Sequence, residues 1–322
     1  MIRKNMTAML RRAVLLIAAV AALTAACKPK PAAPQPFPLP KVPAIISDPG
    51  QYMDYLVTHY WNPFFSTERE YPADTALMCG VSQEEFTRAF ANYAALLLTV
   101  DTQKGLQTQE YLLSEAEKKA GEDGGRLLAK VLELSDELLY DPNSLWRNEE
   151  MYIPVEEARL RSEYTSEQEK ARAEALLPAL KLNRTGTPAA DFSFTLRNGR
   201  QMRLSDVKAD NTVLLFSNPG CEECKAVITR LQSLEGLEEH IAAGRIAVVN
   251  VYPDADLSEW ISYAPQYPAN WFNGYDHDLA AAGGLYNLRA IPSLYLLDKD
   301  KKVIFKDVDA AFLVNYLRQA LQ

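Results

Sequence analysis

The stretch that decides the fold of the C-terminal half is TVLLFSNPGCEECKAVITRLQSL, from Thr212 to Leu234. Its first part is a continuous apolar run, as expected of a strand buried on both faces. Its second part has a helical pattern and begins at the cysteine pair Cys221 and Cys224. Unpaired backbone N–H groups and the helix dipole favour an anion at the first turn of a helix. We therefore expect Cys221 to be the more acidic and accessible thiol, and Cys224, one turn on, to be more buried.

Two thiols at this spacing can bind zinc, form a structural disulfide or act as a redox pair. A zinc site needs two more ligands, but Cys27 and Cys79 lie far away in the sequence and the 3 histidines stand apart from one another. A structural disulfide across so short a loop would constrain little entropy of the unfolded chain. The pattern favours a redox pair in which Cys221 attacks a substrate disulfide and Cys224 resolves the mixed disulfide. It assigns no metal and no cofactor.

The sequence around the pair predicts an α/β domain over residues 184–322. Asn198 and Gly199 form the predicted turn of a hairpin between FSFTL and RQMRL. IAVVNVY, from Ile246 to Tyr252, is a second apolar strand, and SLYLLD and KVIFKD form a predicted antiparallel pair. AAFLVNYLRQALQ is a closing helix. Strands separated by helical segments imply a mixed sheet flanked by helices.

This half resembles the thioredoxin-like superfamily, in particular the TlpA/ResA group of thiol–disulfide oxidoreductases. The resemblance is carried by GTPAADFSFTLRNGRQMRLSDVKADNTVLLFSNPGCEEC, by IAVVNVYPD and by LYNLRAIPSLYLLDKDKKVIFKD. It implies that Pro292 follows a cis peptide bond and packs against the two sulfurs. It also implies that the backbone of Ile291 pairs with an extended substrate peptide.

Three positions depart from the pattern of these families. Many members have an aromatic residue before the first cysteine, where this chain has Gly220. The buried acid of thioredoxin is replaced by Leu215, and the glutamate of the ResA-like group by Val227. No matched carboxylate therefore assists deprotonation of the second cysteine. Glu222 and Glu223 are interpreted as exposed residues of the first helical turn.

Residues 45–183 predict an α-helical domain of about five to seven helices. Ser82 and Glu85 have the spacing of a capping box at the start of one of them. YLVTHYWNPFF and LYDPNSLWRNEEMYIPVEEARL resemble a helical domain of unknown role that precedes thioredoxin-like domains in lipoproteins of Bacteroidota. The polar, turn-rich junction NRTGTP, residues 183–188, predicts that the two halves fold separately.

Several side chains of the helical half are candidates for either core or ligand binding. The spacing of its aromatic residues favours core, and a ligand-binding groove is the alternative. Cys79 is interpreted as a small buried apolar residue. His59 is interpreted as a packed, hydrogen-bonded residue.

The N-terminus predicts export and anchoring. Residues 1–26 contain four basic residues, no acid and the apolar run AVLLIAAVAAL, which is too short to span a bilayer and fits a signal peptide. LTAAC resembles a bacterial lipobox, which implies that Cys27 is lipidated, although Thr24 stands where the pattern usually has Leu. An ordinary signal peptide with an incidental cysteine is the alternative.

The composition of residues 27–44 predicts a Pro-rich linker. The segment KPKPAAPQPFPLPKVP contains seven prolines, so we expect polyproline II structure. At about 3.1 Å per residue this spacer would hold a domain about 50 Å from a membrane.

Charge and motifs together lead to two hypotheses of function. The net charge of −8 argues against nucleic acid as a partner. The first hypothesis is a lipid-anchored, periplasm-facing disulfide reductase, whose partners are exported proteins with disulfides and a membrane or periplasmic thiol electron donor. The second is a binding or sensing lipoprotein, in which the helical domain binds a partner and the thioredoxin-like domain is a scaffold.

Overall fold

The structure is a computed structural model that describes residues 33–66, 76–279 and 281–321. A helical domain is followed by an α/β domain with a mixed sheet, so the predicted fold class is confirmed. The predicted signal peptide, residues 1–26, and the predicted lipidation site Cys27 lie outside the described residues. None of the helices in the described ranges is long and apolar enough to cross a membrane.

The helical domain contains six α-helices in its described part, together with one short hairpin. The elements are α1 (Pro49–Thr58), β1 (Leu77–Met78), β2 (Val81–Ser82), α2 (Gln83–Leu97), α3 (Thr102–Asp123), α4 (Arg126–Ser135), a π-helical turn (Asp136–Tyr140), α5 (Glu149–Arg161) and α6 (Glu167–Leu180). The sequence predicted the helices but not the hairpin, whose strands are only two residues long.

Aromatic side chains fill the centre of this domain. Trp61, Phe64, Phe86 and Phe90 are all 0% exposed. Their rings meet at edge-on and tilted angles, for example Trp61 and Phe64 with centroids 5.9 Å apart. Such arrangements are the preferred ones for aromatic pairs. The interpretation of these residues as core is therefore correct.

Half of the predicted capping box is present at the start of α2. The Ser82 hydroxyl accepts a hydrogen bond from the Glu85 N–H at 3.2 Å, as predicted. The Glu85 carboxylate does not return to Ser82. It accepts a hydrogen bond from the backbone N–H of Phe37 at 2.7 Å instead.

The Pro-rich segment contacts the helical domain at two of its described residues. Gln35 donates its N–H to the carbonyl of Gly80 at 2.8 Å. The ring of Phe37 stacks on Phe64 with centroids 5.4 Å apart. The predicted Pro-rich spacer over residues 27–44 is therefore bound to the helical domain at Gln35 and Phe37, where burial of the aromatic ring stabilises the docked position.

The α/β domain has a seven-stranded sheet with helices on its faces. Its elements are β3 (Ser193–Leu196), β4 (Gln201–Arg203), β5 (Asn211–Phe216), α7 (Glu222–Gln232), α8 (Leu237–Ala242), β6 (Ile246–Tyr252), α9 (Leu257–Tyr263), β7 (Phe272–Tyr275), β8 (Ser293–Asp298), β9 (Val303–Phe305) and α10 (Ala310–Ala320). Short 3-10 turns lie at Leu204–Asp206 and Ala264–Gln266, and a π-helical segment at Ala281–Leu285.

The strand order is β4-β3-β7-β6-β5-β8-β9. The central pairs β5·β6 and β6·β7 are parallel, and the other pairs are antiparallel. Both hairpins that the sequence predicted, β3·β4 and β8·β9, are present. Strand β5 lies between β6 and β8 with every residue from Thr212 to Phe216 buried, which confirms the prediction from its apolar run.

Strand β7 was not predicted, because its sequence FNGY contains two residues that are rare in strands. Gly274 is required there by close contact. A Cβ at this position would lie 2.8 Å from the Phe194 side chain and 2.9 Å from the carbonyl oxygen of Thr195. The glycine therefore lets β3 approach β7.

Asp191, just before β3, ties the hairpin β3·β4 to the turn that follows it. Its carboxylate accepts hydrogen bonds from Arg203 Nε at 2.7 Å and from the N–H and hydroxyl of Ser205 at 3.0 and 2.9 Å. Desolvation acts to raise the pKa of Asp191, but these hydrogen bonds and the nearby guanidinium outweigh it and hold the pKa below its ordinary value.

The junction between the two domains is docked on the sheet. Gly186 donates its N–H to the carbonyl oxygen of Val303 at 2.7 Å, and Ala189 donates its N–H to the carbonyl oxygen of Lys301 at 2.8 Å. Lys306, only 5% exposed, donates to the carbonyls of Leu180 and Leu182 at 2.8 and 2.6 Å. These contacts join the two domains, and separate folding of the two halves stays a prediction.

Candidate functional site

The two cysteines of the pair are joined in a disulfide at the start of α7. Cys221 is the residue that caps this helix, and the Cα atoms of Cys221 and Cys224 are 5.2 Å apart. The Cys221 sulfur accepts a hydrogen bond from the backbone N–H of Cys224 at 3.1 Å. The same N–H would stabilise a thiolate at Cys221 after reduction, because charge-assisted hydrogen bonds are stronger than neutral ones.

The two sulfurs differ in access to solvent. Cys224 is only 2% exposed, whereas Cys221 is half-buried. The predicted difference in accessibility is therefore confirmed. Glu222 and Glu223 are exposed residues of the first helical turn, as interpreted from the sequence. A client disulfide can reach Cys221 more readily than Cys224.

The loop before the pair contains a glycine in the left-handed conformation. Gly220 has φ +69°, and a Cβ built on it would meet nothing within 4 Å. Backbone conformation rather than lack of space therefore requires glycine here. The loop is also fixed by Asn218, whose amide donates to the Asp254 carboxylate at 2.6 Å.

The proline predicted to face the pair lies at the same end of the sheet. Ser293 pairs with Phe216 in the antiparallel register of β8 and β5. Pro292 directly precedes β8, and the cysteine loop directly follows β5. The Ile291–Pro292 peptide bond is cis, the form that the family resemblance implies. Packing of the proline on the sulfurs and pairing of Ile291 with a peptide remain predictions.

Both halves of the chain are similar to known proteins. The family model described as "Domain of unknown function (DUF5106)" matches residues 15–183. A thioredoxin-like protein from Bacteroides caccae ATCC 43185 is 33% identical, with a TM-score of 0.71, over 89% of this chain and 99% of that one. The chain belongs to the DUF5106 family.

The C-terminal half of this DUF5106 protein is a thioredoxin-like domain. The family model "AhpC/TSA family" matches residues 185–306. The C-terminal domain of an uncharacterized protein from Bacteroides fragilis NCTC 9343 is 40% identical, over 42% of this chain and 97% of that one, with a TM-score of 0.40. The thioredoxin domain of a thiol-disulfide oxidoreductase from Bacteroides vulgatus is 18% identical, over 43% and 99%, with a TM-score of 0.36. None of the curated proteins matches the chain.

These findings confirm that the C-terminal half is thioredoxin-like and that a helical domain of unknown role precedes it. The DUF5106 region precedes a thioredoxin-like domain. The two positions where related families carry an acid are apolar and packed. Leu215 is 0% exposed inside the sheet, and Val227 packs against the cluster on the same face.

The sequence patterns did not predict a buried chain of polar side chains that lies near the cysteine loop. Ser217, the residue after β5, donates its hydroxyl to the amide oxygen of Asn250 at 2.6 Å. The Asn250 amide nitrogen donates to the side-chain oxygen of Asn273 at 3.2 Å. The signal was a single polar residue inside the apolar run IAVVNVY. Because buried polar groups need partners, that asparagine pointed to a polar contact between β6 and its neighbours.

The other candidate residues lie in the helical domain. Cys79 is partly buried against the aromatic core. The His59 ring stacks on Tyr55 with centroids 4.0 Å apart, and its Nδ1 lies 3.0 Å from the carbonyl oxygen of Tyr55. His59 is thus packed and hydrogen-bonded, as interpreted. Within the described ranges, His, Cys, Asp and Glu form no group of three or more that could hold a metal ion.

Proposed function

We propose that this protein is a membrane-anchored, extracytoplasmic thiol–disulfide oxidoreductase that reduces disulfides of exported proteins. The observation that carries the proposal is the Cys221–Cys224 disulfide at the start of α7, with one sulfur accessible and the other buried. A helix start that directs an N–H at the outer sulfur suits a nucleophilic thiolate.

The reaction proceeds by two exchanges. In the reduced protein, the Cys221 thiolate attacks one sulfur of a client disulfide, and the other client sulfur leaves as a thiolate that takes up a proton. Cys224 then gives up its proton and attacks the Cys221 sulfur, which releases the second client thiol. The client gains two electrons and two protons, and the Cys221–Cys224 disulfide is formed. A thiol electron donor of the envelope must reduce that disulfide for the next cycle.

The charges around Cys221 favour a reductase over an oxidant. Glu222 and Glu223 are exposed at the first turn and repel a thiolate there, by about 0.6 kcal/mol each at roughly 7 Å in water. The helix dipole stabilises the thiolate by roughly 0.3–1 kcal/mol. These effects offset each other, so the reduced form is not strongly stabilised. We expect a reduction potential nearer to that of thioredoxin, about −270 mV, than to that of DsbA, about −120 mV.

The anchor of the proposed enzyme is a lipid on Cys27, with residues 1–26 as the signal peptide that is removed. The support is the sequence pattern LTAAC and the basic and apolar segments before it. The protein then faces the compartment in which disulfides form and persist. Its clients are exported proteins, and the exchange itself needs no cofactor.

Reduction of insulin by dithiothreitol tests the activity on the purified chain. We expect catalysis by the wild type and by Cys79→Ser, because Cys79 lies in the helical domain. The variant Cys221→Ser should be inactive. Absence of catalysis by the wild type would contradict the enzyme assignment.

Trapping of clients tests the order of the two thiols. Cys224→Ser should accumulate mixed disulfides with envelope proteins, because the resolving sulfur is gone. Cys221→Ser should accumulate none, because the remaining sulfur is buried. Non-reducing gels of both variants give the answer, and equal trapping by both would reject the assigned order.

A further inference from the structure

A buried carboxylate of the helical domain is contacted by three side chains of the thioredoxin-like domain. Glu149, the first residue of α5, has a side chain only 1% exposed. Arg289 Nε lies 2.7 Å from its Oε1, and Lys306 Nζ lies 2.7 Å from its Oε2. Asn287 also donates its amide N–H to Oε1 at 3.0 Å. Such a set of contacts requires one relative position of the two domains.

Arg289 is held from both sides of the domain interface. On the helical side, its guanidinium donates to the backbone carbonyl of Tyr140, and Cζ lies 4.2 Å from the centroid of the Tyr140 ring. On its own side, an Nη atom lies 2.6 Å from the carboxylate of Asp307. With a side chain 9% exposed, Arg289 has exchanged water for these partners. Planar guanidinium groups favour such fixed, multidentate contacts.

Opposite charges meet in this cluster. Glu149 and Asp307 supply two negative charges, and Arg289 and Lys306 supply two positive ones. The Arg147 guanidinium of the helical domain is a third positive group, 3.9 Å from the Asp307 carboxylate. A buried ion pair is weak evidence for stability, because desolvation cancels much of the attraction. Fixing one geometry is the better-attested role of such a pair.

The segment held by this cluster carries the proline of the site. We call residues 287–293 the proline loop. Asn287 and Arg289 are held as described, and at the other end the Ser293 hydroxyl lies 3.5 Å from the Asp307 carboxylate. Ile291 and Pro292 lie between these anchored residues, which restrict the positions open to the Ile291 backbone.

We infer that the helical domain is a positioning element for the active site, in which Glu149 and Tyr140 hold Arg289 and thereby place the backbone of Ile291 for an extended client peptide. Glu149, Tyr140 and Arg289 are positioning residues and do not touch the reacting sulfurs in this scheme. The inference rests on the proposed function. It assigns the helical domain a part in selecting peptide disulfides.

Two disulfide substrates of different shape distinguish an effect on positioning of the proline loop from an effect on the reactivity of Cys221. A small aromatic disulfide needs only an accessible Cys221 thiolate. A disulfide within an extended peptide also needs the proline loop to accept its backbone. A displaced loop should therefore lower kcat/KM for the peptide disulfide and leave the rate with the small disulfide unchanged.

The adjacent residue of α5 provides a matched control. Glu150 is also buried, at 5% exposed, and its Oε2 lies 2.7 Å from Arg184 across the same interface. Its Oε1 accepts the N–H of Thr185 at 3.0 Å. These partners belong to the junction and not to the proline loop. Glu149→Gln and Glu150→Gln thus remove the same charge, from neighbouring positions, with different consequences for the site.

We expect Glu149→Gln to lower kcat/KM for a peptide disulfide about tenfold, since small displacements of positioning groups have large effects on rate. Glu150→Gln should stay within about twofold of wild type with both disulfides. Circular dichroism establishes that each variant is folded at the assay temperature. Equal effects of the two variants, or equal losses with both disulfides, would overturn the inference and leave the proposed function intact.

A second variant keeps the test informative if Glu149→Gln does not fold. Tyr140→Leu removes the ring under Arg289 and leaves every charge in place. It should show the same selective loss with the peptide disulfide, to a smaller extent. An unchanged ratio of the two rates in this variant would overturn the inference. A wild type that reduces neither disulfide would overturn the proposed function, and this inference with it.

Discussion

Replacement of Gly220 by alanine tests why glycine precedes the first cysteine. The residue has φ +69°, and its missing Cβ would meet nothing within 4 Å. The cost of alanine is therefore only that of the left-handed backbone, about 1–2 kcal/mol of folding free energy. For an m-value of about 3 kcal/mol per molar of urea, the urea concentration at the unfolding midpoint should fall by about 0.3–0.7 M.

Gly244 is the matched control for this prediction. It has φ +71°, and again nothing lies within 4 Å of a built Cβ. It lies in the turn between α8 and β6, far along the chain from the cysteine loop. Gly244→Ala should lower the midpoint by the same amount as Gly220→Ala.

Urea titrations of both variants, in the oxidised form, decide the matter. A decrease in the urea midpoint of Gly220→Ala several times that of Gly244→Ala would refute the reasoning. It would show that a steric contact, rather than backbone conformation, requires glycine at position 220. No loss would refute it too, since the loop would then accept a side chain freely. The prediction also covers the aromatic residue that related families have here, which should be at least as costly in this loop as alanine.

Three further changes have expected outcomes. Asp191→Asn should destabilise the protein at neutral pH. Because the folded pKa of Asp191 lies below the ordinary 3.8, this contribution is present above that pH and lost as pH falls through the folded pKa, so urea midpoints of variant and wild type should converge in strong acid. Changing Glu222 and Glu223 to Gln should speed alkylation of reduced Cys221 at neutral pH about threefold, by removing repulsion of its thiolate; an unchanged rate would show that solvent screens both charges. Cys27→Ser should release the protein from membranes in cell fractionation, and persistent association would show another anchor.

Patterns local in the sequence predicted most of the α/β domain. The apolar run of β5, the turn at Asn198 and Gly199 and the helix that begins at Cys221 each depend on neighbours within a few residues. Pro292 lies 71 residues after Cys221 and 68 after Cys224, yet the pair and the proline both flank strands that the sequence identifies. Their common end of the sheet follows from the strand pairing.

Contacts between distant residues could not be predicted in the same way. Glu85 has the spacing of a capping box, but its partner is Phe37, 48 residues earlier. Glu149 and Arg289 lie in segments whose charges look like ordinary solvated residues. Only the packing of two domains buries them together, and no period in the sequence reports that packing.

The docking of Phe37 shortens the tether of the proposed lipoprotein. Between Cys27 and Gln35, a residue of the described range that is hydrogen-bonded to the helical domain, there are eight peptide steps. If they take the polyproline II structure that the sequence predicts, these steps would cover about 25 Å, half the reach of a spacer that runs to residue 43. An enzyme on so short a tether would encounter its clients by lateral diffusion along the bilayer. Its partners would then be proteins that are themselves emerging from, or held at, the same membrane.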